Sequence, residues 1–224
     1  MGRVTDIFRR IGRAPSSLRG LDPGALGLVG LMFVLVLAGA GRLIGSGPEA
    51  DRTALKVDHP RLVVLKSRRV LCLFDGDRLM RTYPIDLGRE PVGDKRLRDD
   101  GRTPEGQFRV VSKNADSPYH RFLGIDYPHR ATARWGLDRG LISAGQAASI
   151  GAAIDVGRCP DWGTALGGGI GIHGGRTLAG LPPRAADDAN RTGDWTGGCI
   201  AVGDFEVEEL FAVLRIGDPI EILP

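Results

Sequence analysis

An uncharged, strongly apolar stretch near the N-terminus most constrains how this chain can fold. The 19 residues from Pro23 to Gly41 contain no charged side chain, and positions 31–37 are Leu-Met-Phe-Val-Leu-Val-Leu. As a helix, this stretch would be about 28 Å long, close to the roughly 30 Å hydrocarbon core of a bilayer. The rest of the chain is too small to surround a helix that is apolar on every face. We therefore expect a membrane segment over residues 23–45 and a folded domain after it.

Flanking charges predict the orientation of this segment. Five arginines precede it and Arg42 alone follows closely, which predicts a cytoplasmic basic tail over residues 1–22 and a domain on the outer side of the membrane. Ala38-Gly39-Ala40 is typical of a signal-peptide cleavage site, so removal of the segment after Ala40 is the alternative to an anchor. The long polar leader and the length of the uncharged run favour a single-pass anchor.

Charge and glycine content describe the remainder of the chain. Residues 1–45 carry six Arg against two Asp, whereas the remaining residues carry 24 Lys and Arg against 25 Asp and Glu. The folded part therefore lacks the basic surface that nucleic-acid binding requires, and we expect no nucleic-acid partner. The 34 glycines have no fixed period and favour a β-rich fold with many turns.

Apolar patterning predicts a linker over residues 46–58 and a single domain over residues 59–224. We expect a mostly β fold with one or two helices, arranged as one sandwich or barrel-like domain. Candidate strands are 62–65, 70–74, 79–87, 107–112, 122–126, 170–172, 199–202 and 219–222. Candidate helices lie within 138–155 and from an N-cap at Asp204 to about Leu214.

The chain has three cysteines, an odd number for an exported protein, so at least one thiol is free or pairs with another chain. Cys72 lies in an apolar strand and has the pattern of an inert buried thiol, and a Cys72–Cys159 disulfide remains an open alternative. Cys199 follows Trp-Thr-Gly-Gly at 195–198 and begins an apolar strand. A thiol at such a junction, with glycines before it, fits a nucleophile that substrate backbone can approach closely.

His173 is the candidate base for this thiol. It stands among glycines, in Gly-Gly-Gly-Ile-Gly-Ile-His-Gly-Gly at 167–175, which predicts an imidazole at a strand end in an open cleft. The other three histidines are expected to be structural or on the surface, although His120 has the option of approaching the cleft. The chain has no Cys-x-x-Cys or His-Glu-x-x-His element, so a metal-dependent peptidase is the weaker alternative and no metal is predicted.

These motifs resemble the signature of the L,D-transpeptidase catalytic domain, the YkuD-type family. The resemblance covers essentially residues 60–224. It rests on Ile-His-Gly at 172–174, Trp-Thr-Gly-Gly-Cys-Ile-Ala-Val at 195–202, Gly-Arg-Thr-Pro-Glu-Gly-Gln-Phe at 101–108 and Gly-Asp-Pro-Ile-Glu-Ile at 217–222. The Gly-Arg-Thr-Pro-Glu-Gly run together with the histidine and cysteine motifs makes it specific.

The resemblance implies an enzyme of the cell envelope that remodels peptidoglycan stem peptides without a cofactor. Cys199 would be the nucleophile and His173 the base. The backbone near Gly198 would hold the oxyanion, and the carbonyl of Gly174 would orient the imidazole. Trp195, Thr196 and His120 would contact substrate. An L,D-carboxypeptidase, a hydrolase or ligase of wall-attached protein and an inactive wall-binding module are the alternatives.

Four departures from the family pattern accompany the resemblance. Gly197 stands where the family commonly has a second histidine, and Gly174 where it often has serine. Ala201 replaces a frequent arginine or asparagine, and His173 lies 26 positions before Cys199 with an insertion near 182–192. We expect these differences to alter the substrate cleft and to leave the nucleophile and base in place.

Overall fold

The computed structural model describes residues 55–175 and 193–224. The predicted basic tail, the membrane segment, most of the linker and the insertion lie outside the described residues. None of the helices in the two described ranges combines the length and the apolar character that a bilayer span requires.

Eight strands in the described ranges form one sheet in the order β3-β2-β1-β8-β4-β5-β6-β7. The strands are β1 Pro60–Leu65, β2 Val70–Asp75, β3 Arg78–Pro84, β4 Gly106–Ser117, β5 His120–Ile125, β6 Gly171–His173, β7 Ile200–Ala201 and β8 Pro219–Leu223. β1 pairs in parallel with β8, and β6 pairs in parallel with β7, while the other neighbours are antiparallel. The predicted mostly β fold is confirmed.

The sheet is curled, and its two edges meet at Asp86 and Ala201. Asp86, two residues beyond β3, exchanges two backbone hydrogen bonds of 2.9 Å with Ala201 of β7. Of the two predicted forms, the barrel-like one is observed as a half-barrel, and the strands do not separate into a two-sheet sandwich. This contact brings the end of β7 beside residues 86–88, which matters for the site described below.

Three α-helices are present in the described ranges, so the prediction of one or two was wrong. They are α1 Arg130–Asp138, α2 Ala144–Asp155 and α3 Asp204–Val213. The single helix expected within 138–155 starts only at 144, where Ser143 and Gln146 form a reciprocal capping box. The preceding helix, α1, ends before Gly140, whose φ of +67° breaks the helix. Helix α1 was not predicted because its sequence is polar. Its few buried residues pack with α2 in a small core that is separate from the main one.

The main core lies between the concave sheet and α3. It consists of the alternating apolar residues of the strands together with Val207, Leu210 and Leu214 from the helix region. The predicted start of α3 was displaced by one residue, because Gly203 occupies the N-cap position and Asp204 is the first helical residue. The side chain of Asp204 is therefore available for a contact outside its own helix.

Candidate active site

Cys199 and His173 lie on the same face of two neighbouring strands. His173 of β6 is paired directly with Ala201 of β7 in a parallel register. Opposite residues of a parallel pair point to the same face, and the faces alternate along each strand. The register places Cys199 opposite Gly171 and therefore on the face that carries His173.

The imidazole of His173 is packed between two aromatic rings. Its ring centroid lies 4.7 Å from that of Tyr119 and 5.6 Å from that of Trp195. Only 3% of the residue is exposed, and this burial lowers the pKa of the imidazole, although its hydrogen bond to Gly174 opposes the shift. His173 is consequently neutral near pH 7, which is the state that a general base requires.

A backbone hydrogen bond defines the tautomer of this imidazole. Nδ1 of His173 lies 2.6 Å from the carbonyl oxygen of Gly174. A carbonyl oxygen only accepts, so Nδ1 carries the proton and Nε2 is left with its lone pair. Nε2 is therefore the nitrogen that can take a proton from a nucleophile.

The Cys199 side chain is half-buried. Its S–H donates to the carbonyl of Gly169 at 3.4 Å. Burial raises the pKa of the thiol to about 11, although the N–H of Gly171 and the ammonium of Lys95 lower it. Among the described residues, the sulfur and the His173 imidazole do not share a hydrogen bond. The raised pKa of the thiol and the lowered pKa of the imidazole both favour the neutral forms of the two groups.

Thr196 shapes the turn that leads into Cys199. Its Oγ1 accepts a hydrogen bond from the N–H of Gly198 at 3.1 Å and donates to the carbonyl of Cys199 at 2.7 Å. The residue is 3% exposed, and its hydroxyl makes both of these hydrogen bonds within the turn. The substrate contact expected of Thr196 stays a prediction. The N–H of Gly198, expected to hold an oxyanion, is engaged by this hydroxyl in the structure.

The Gly-Arg-Thr-Pro-Glu-Gly segment at 101–106 packs beneath this turn. A Cβ added to Gly198 would lie 2.5 Å from the carbonyl oxygen of Arg102, and Gly198 has a φ of +136°. Thr103 accepts a hydrogen bond from the N–H of Gly88 at 3.0 Å. The segment therefore supports the backbone of the 195–199 turn. Position 198 must be glycine because the two backbone segments meet there.

Trp195 and His120 have different surroundings in the structure. Trp195 is half-buried, lies edge-on to His173 and donates its indole N–H to Asp86 at 3.2 Å, so it forms a wall of the site. His120 has a φ of +73° and places Nε2 2.8 Å from Glu208 of α3. Its imidazole therefore contacts the Glu208 carboxylate on the surface, and the described ring contacts of His173 are with Tyr119 and Trp195.

Tyr119 was missed by the sequence analysis. It lies in the tight turn between β4 and β5, is 46% exposed and contacts both His173 and Trp195. Its carbonyl also accepts the N–H of Gly174 at 3.0 Å. An exposed tyrosine in a turn carries no local signal of this role, since only the pairing of β5 with β6 brings the turn to the imidazole.

Two further neighbours of the site were also missed. Lys95 has a buried ammonium that donates to Asp100 at 2.7 Å and lowers the pKa of Cys199. Trp162 is 44% exposed and covers the glycines that precede β6, because a Cβ on Gly168 would lie 2.1 Å from its ring. Trp162 thus borders the loop that holds the Cys199 thiol.

The other two cysteines are free thiols, so the disulfide that the sequence left open is not formed in the structure. Cys72 is fully buried in β2, and burial raises its thiol pKa. Cys159 is half-buried in a loop. Of the three cysteines, Cys199 is the one that directly precedes β7, the strand paired with His173 of β6.

Solved structures with a similar fold include the helical cell shape determining protein Pgp2 from Campylobacter jejuni, with 19% identity and a TM-score of 0.46 over 75% of this chain and 48% of that one. An L,D-transpeptidase from Xylanimonas cellulosilytica has 13% identity and a TM-score of 0.41, covering 75% and 62%. L,D-transpeptidase 1 from Mycobacterium tuberculosis has 16% identity and a TM-score of 0.39, also covering 75% and 62%.

These alignments span between about half and three fifths of the solved chains. No curated protein matches the chain in sequence. The family model described as YkuD, L,D-transpeptidase catalytic domain, matches residues 59–222, a range that includes His173 and Cys199. This chain therefore belongs to the L,D-transpeptidase catalytic domain family.

Proposed function

We propose that this protein is a peptidoglycan L,D-transpeptidase that forms a thioester between Cys199 and a stem tetrapeptide. Family membership supports the reaction class. The observation that carries the assignment of residues is the parallel register of β6 and β7, which puts the Cys199 thiol and an Nδ1-protonated His173 on one face. No cofactor takes part in the proposed steps.

Acylation begins when the thiol leaves the Gly169 carbonyl and turns toward Nε2 of His173. Nε2 accepts the proton as sulfur bonds to the carbonyl carbon of the L-centre of diaminopimelate. The tetrahedral intermediate then breaks its C–N bond, the imidazolium returns the proton to the departing amine, and D-Ala leaves. Because the pKa of the free thiol is about 11, only about one thiol in 10⁴ is ionised at pH 7, so proton removal by His173 is essential.

The backbone N–H of Cys199 is the oxyanion donor that we assign first. The N–H of Gly198 is held by Thr196 in the resting turn and would contribute only after that hydrogen bond exchanges. A donor aimed at a developing oxyanion stabilises the transition state by about 3–4 kcal/mol in other acyl-transfer enzymes. The rigid turn built by Thr196 therefore aligns the peptide that joins Gly198 to Cys199 before substrate arrives.

The acyl-enzyme has two chemical fates at the same site. Attack by the side-chain amine of a second stem peptide forms a 3→3 cross-link and releases the thiol, whereas attack by water gives a tripeptide, as in an L,D-carboxypeptidase. We assign transfer as the main reaction. The uncharged segment at 23–41 would tether the domain to the membrane, on the envelope side where peptidoglycan lies.

Mass spectrometry of the full-length protein incubated with disaccharide-tetrapeptide fragments tests this proposal. We expect 3→3 dimers and a covalent adduct on Cys199. The Cys199→Ala variant should form neither, and His173→Ala should slow adduct formation by about 10²- to 10⁴-fold, the usual contribution of a general base. Cys159→Ala is the matched control and should behave as the wild type. Product formation by Cys199→Ala would disprove the mechanism, and tripeptide without dimer would identify the hydrolase.

A further inference from the structure

The peptide bond between Gly174 and Gly175 is hydrogen-bonded at both ends to ionisable side chains. Its carbonyl oxygen, that of Gly174, accepts from Nδ1 of His173 at 2.6 Å. Its N–H, that of Gly175, donates to Oδ1 of Asp204 at 2.7 Å. The two groups belong to one planar, resonance-coupled amide. A carboxylate, a peptide and an imidazole thus form one continuous chain.

Such a chain transmits the influence of the carboxylate to the ring. An anion that accepts from the amide N–H polarises the amide and makes its carbonyl oxygen a stronger acceptor. A stronger acceptor holds the proton on Nδ1 and favours the imidazolium that forms when Nε2 takes a second proton. His173 is buried between aromatic rings, where an imidazolium without a nearby anion would be costly.

The residue at position 174 is compatible with this contact only as glycine. A Cβ at Gly174 would lie 2.5 Å from Oδ1 of Asp204 and 2.9 Å from the carbonyl oxygen of Tyr119. A serine, which the family often has at this position, would displace the carboxylate from the Gly175 N–H. The departure from the family pattern at 174 and the position of Asp204 are therefore explained together.

Asp204 also lies in the first turn of α3, where any carboxylate interacts favourably with the helix terminus. Glu206 lies in the same turn and offers a direct comparison. Its carboxylate is directed toward Gly203, where an added Cβ would lie 2.0 Å from Oε2. The two acidic residues thus share the helix terminus, whereas the hydrogen bond to the 174–175 peptide is made by Asp204.

We propose that Asp204 is a positioning residue for His173 and acts through the intervening 174–175 peptide. It maintains the Nδ1-protonated tautomer in the resting site and stabilises the imidazolium while the thiol of Cys199 is deprotonated. This inference rests on the proposed function for its catalytic consequence, but the effect on the tautomer is independent of any substrate.

Three variants of the full-length protein test the role of Asp204. Asp204→Asn retains an oxygen that can accept from Gly175 but removes the charge, Asp204→Ala removes both, and Glu206→Gln removes a charge of the same helix turn. Thermal unfolding is measured for each, so that loss of folding is recognised. The first readout is the ¹⁵N chemical shift pair of His173, which reports the tautomer. The second is the rate of Cys199 alkylation by iodoacetamide in a Cys159→Ser background.

For Asp204→Ala we expect a mixed His173 tautomer, slower alkylation of Cys199 and slower acylation by tetrapeptide. Each rate should fall by roughly tenfold or more, a fraction of the 10²- to 10⁴-fold effect of a general base. Asp204→Asn should lie between this variant and the wild type, with KM unchanged in both. Glu206→Gln should retain the tautomer and change the rate less than twofold.

An unchanged ¹⁵N pattern in Asp204→Ala, or equal losses in Asp204→Asn and Glu206→Gln, would overturn the proposal. If Asp204→Ala does not fold, the comparison of Asp204→Asn with Glu206→Gln decides by the same two readouts. If the wild type fails to process tetrapeptide, the proposed function fails, while the tautomer and the alkylation rate still test the link between Asp204 and His173.

Discussion

The Cys199 sulfur and the His173 imidazole are both neutral in the resting site, and burial is the reason for both. Removing a thiolate or an imidazolium from water is unfavourable, so the pKa of the thiol rises while that of the imidazole falls. If Cys199 is the nucleophile that we propose, its activation requires proton transfer that is coupled to attack on the substrate. The directions of the two pKa shifts disfavour a preformed thiolate–imidazolium pair.

The first prediction concerns the pH dependence of thiol reactivity without substrate. Because the Cys199 pKa is raised to about 11, alkylation by iodoacetamide in a Cys159→Ser background should rise about tenfold per pH unit from pH 7 toward pH 11. The buried Cys72 should react only after unfolding. Labelled Cys199 is quantified by peptide mass spectrometry. A rate that is already constant between pH 6 and pH 8 would show a preformed thiolate and contradict this view.

The second prediction concerns the hydroxyl of Thr196. Thr196→Val preserves the shape but leaves the N–H of Gly198 and the carbonyl of Cys199 without their side-chain partner. We expect the free energy of unfolding to fall by about 1–3 kcal/mol and the acylation rate to fall by about tenfold or more as the nucleophile loses its alignment. Thr196→Ser keeps the hydroxyl and should stay near wild type in both urea titration and single-turnover kinetics. Equal stability and equal acylation rates in the two variants would show that the Thr196 hydroxyl does not stabilise the turn.

At the scale of elements, the site is built from two short strands and the turn between residues 195 and 199. Neither β6 nor β7 is long enough to be stable alone, and each gains its position from pairing with β5 or with Asp86. The turn is held from below by the 101–106 segment. This explains why a motif far from the cysteine in sequence belongs to the same signature.

The third prediction compares the two glycines of the turn. Gly198 has a φ of +136°, and its Cβ would lie 2.5 Å from a backbone oxygen, whereas a Cβ on the exposed Gly197 would meet nothing within 4 Å. Gly198→Ala should lower the free energy of unfolding by about 2 kcal/mol or more and abolish most acylation. Gly197→Ala should be nearly neutral in both measurements. Comparable losses in the two variants would mean that the turn does not rest on the 101–106 segment.

At the scale of the whole molecule, a buried lysine joins the first hairpin to the segment beneath the site. Lys66, directly after β1, is 2% exposed, and its ammonium donates to Gly93 at 2.6 Å, Thr103 at 2.9 Å and Glu105 at 2.8 Å. All three donors of the ammonium are used. The lysine thus links the end of β1, an interior strand of the sheet, to the 101–106 segment that packs beneath the 195–199 turn.

The fourth prediction concerns this link. Lys66→Met leaves Glu105 and two carbonyls without their cation, and we expect a loss of about 3–5 kcal/mol in the free energy of unfolding, measured by urea titration. The added change Glu105→Gln should recover part of this loss. Arg134→Met, which removes an exposed ion pair with Asp138, is the control and should have little effect. Equal losses of unfolding free energy in Lys66→Met and Arg134→Met would show that Lys66 does not stabilise the domain in this way.

Strand positions were predictable because their signals are local. The first hairpin, the closing strand and α3 follow from alternating apolar residues and turn residues, and all lie within a few residues of their predicted bounds. The split between α1 and α2 was not predictable, because α1 has a polar sequence and packs on a small separate core. The surface position of His120 agrees with the expectation for three of the four histidines, but its partner Glu208 lies 88 residues away and could not be predicted.

The sequence by itself determined the β-rich class, the family and the two side chains that carry the proposed chemistry. These depend on short-range periodicity and on motifs contained in a few consecutive residues. Only the tertiary structure decided which nitrogen of His173 is free, that the Thr196 hydroxyl accepts from the Gly198 N–H, and that Asp204 reaches the 174–175 peptide. Each of these is a directional hydrogen bond of 2.6 to 3.1 Å that joins one backbone group to one side chain, and the directions exist only once the strands have paired.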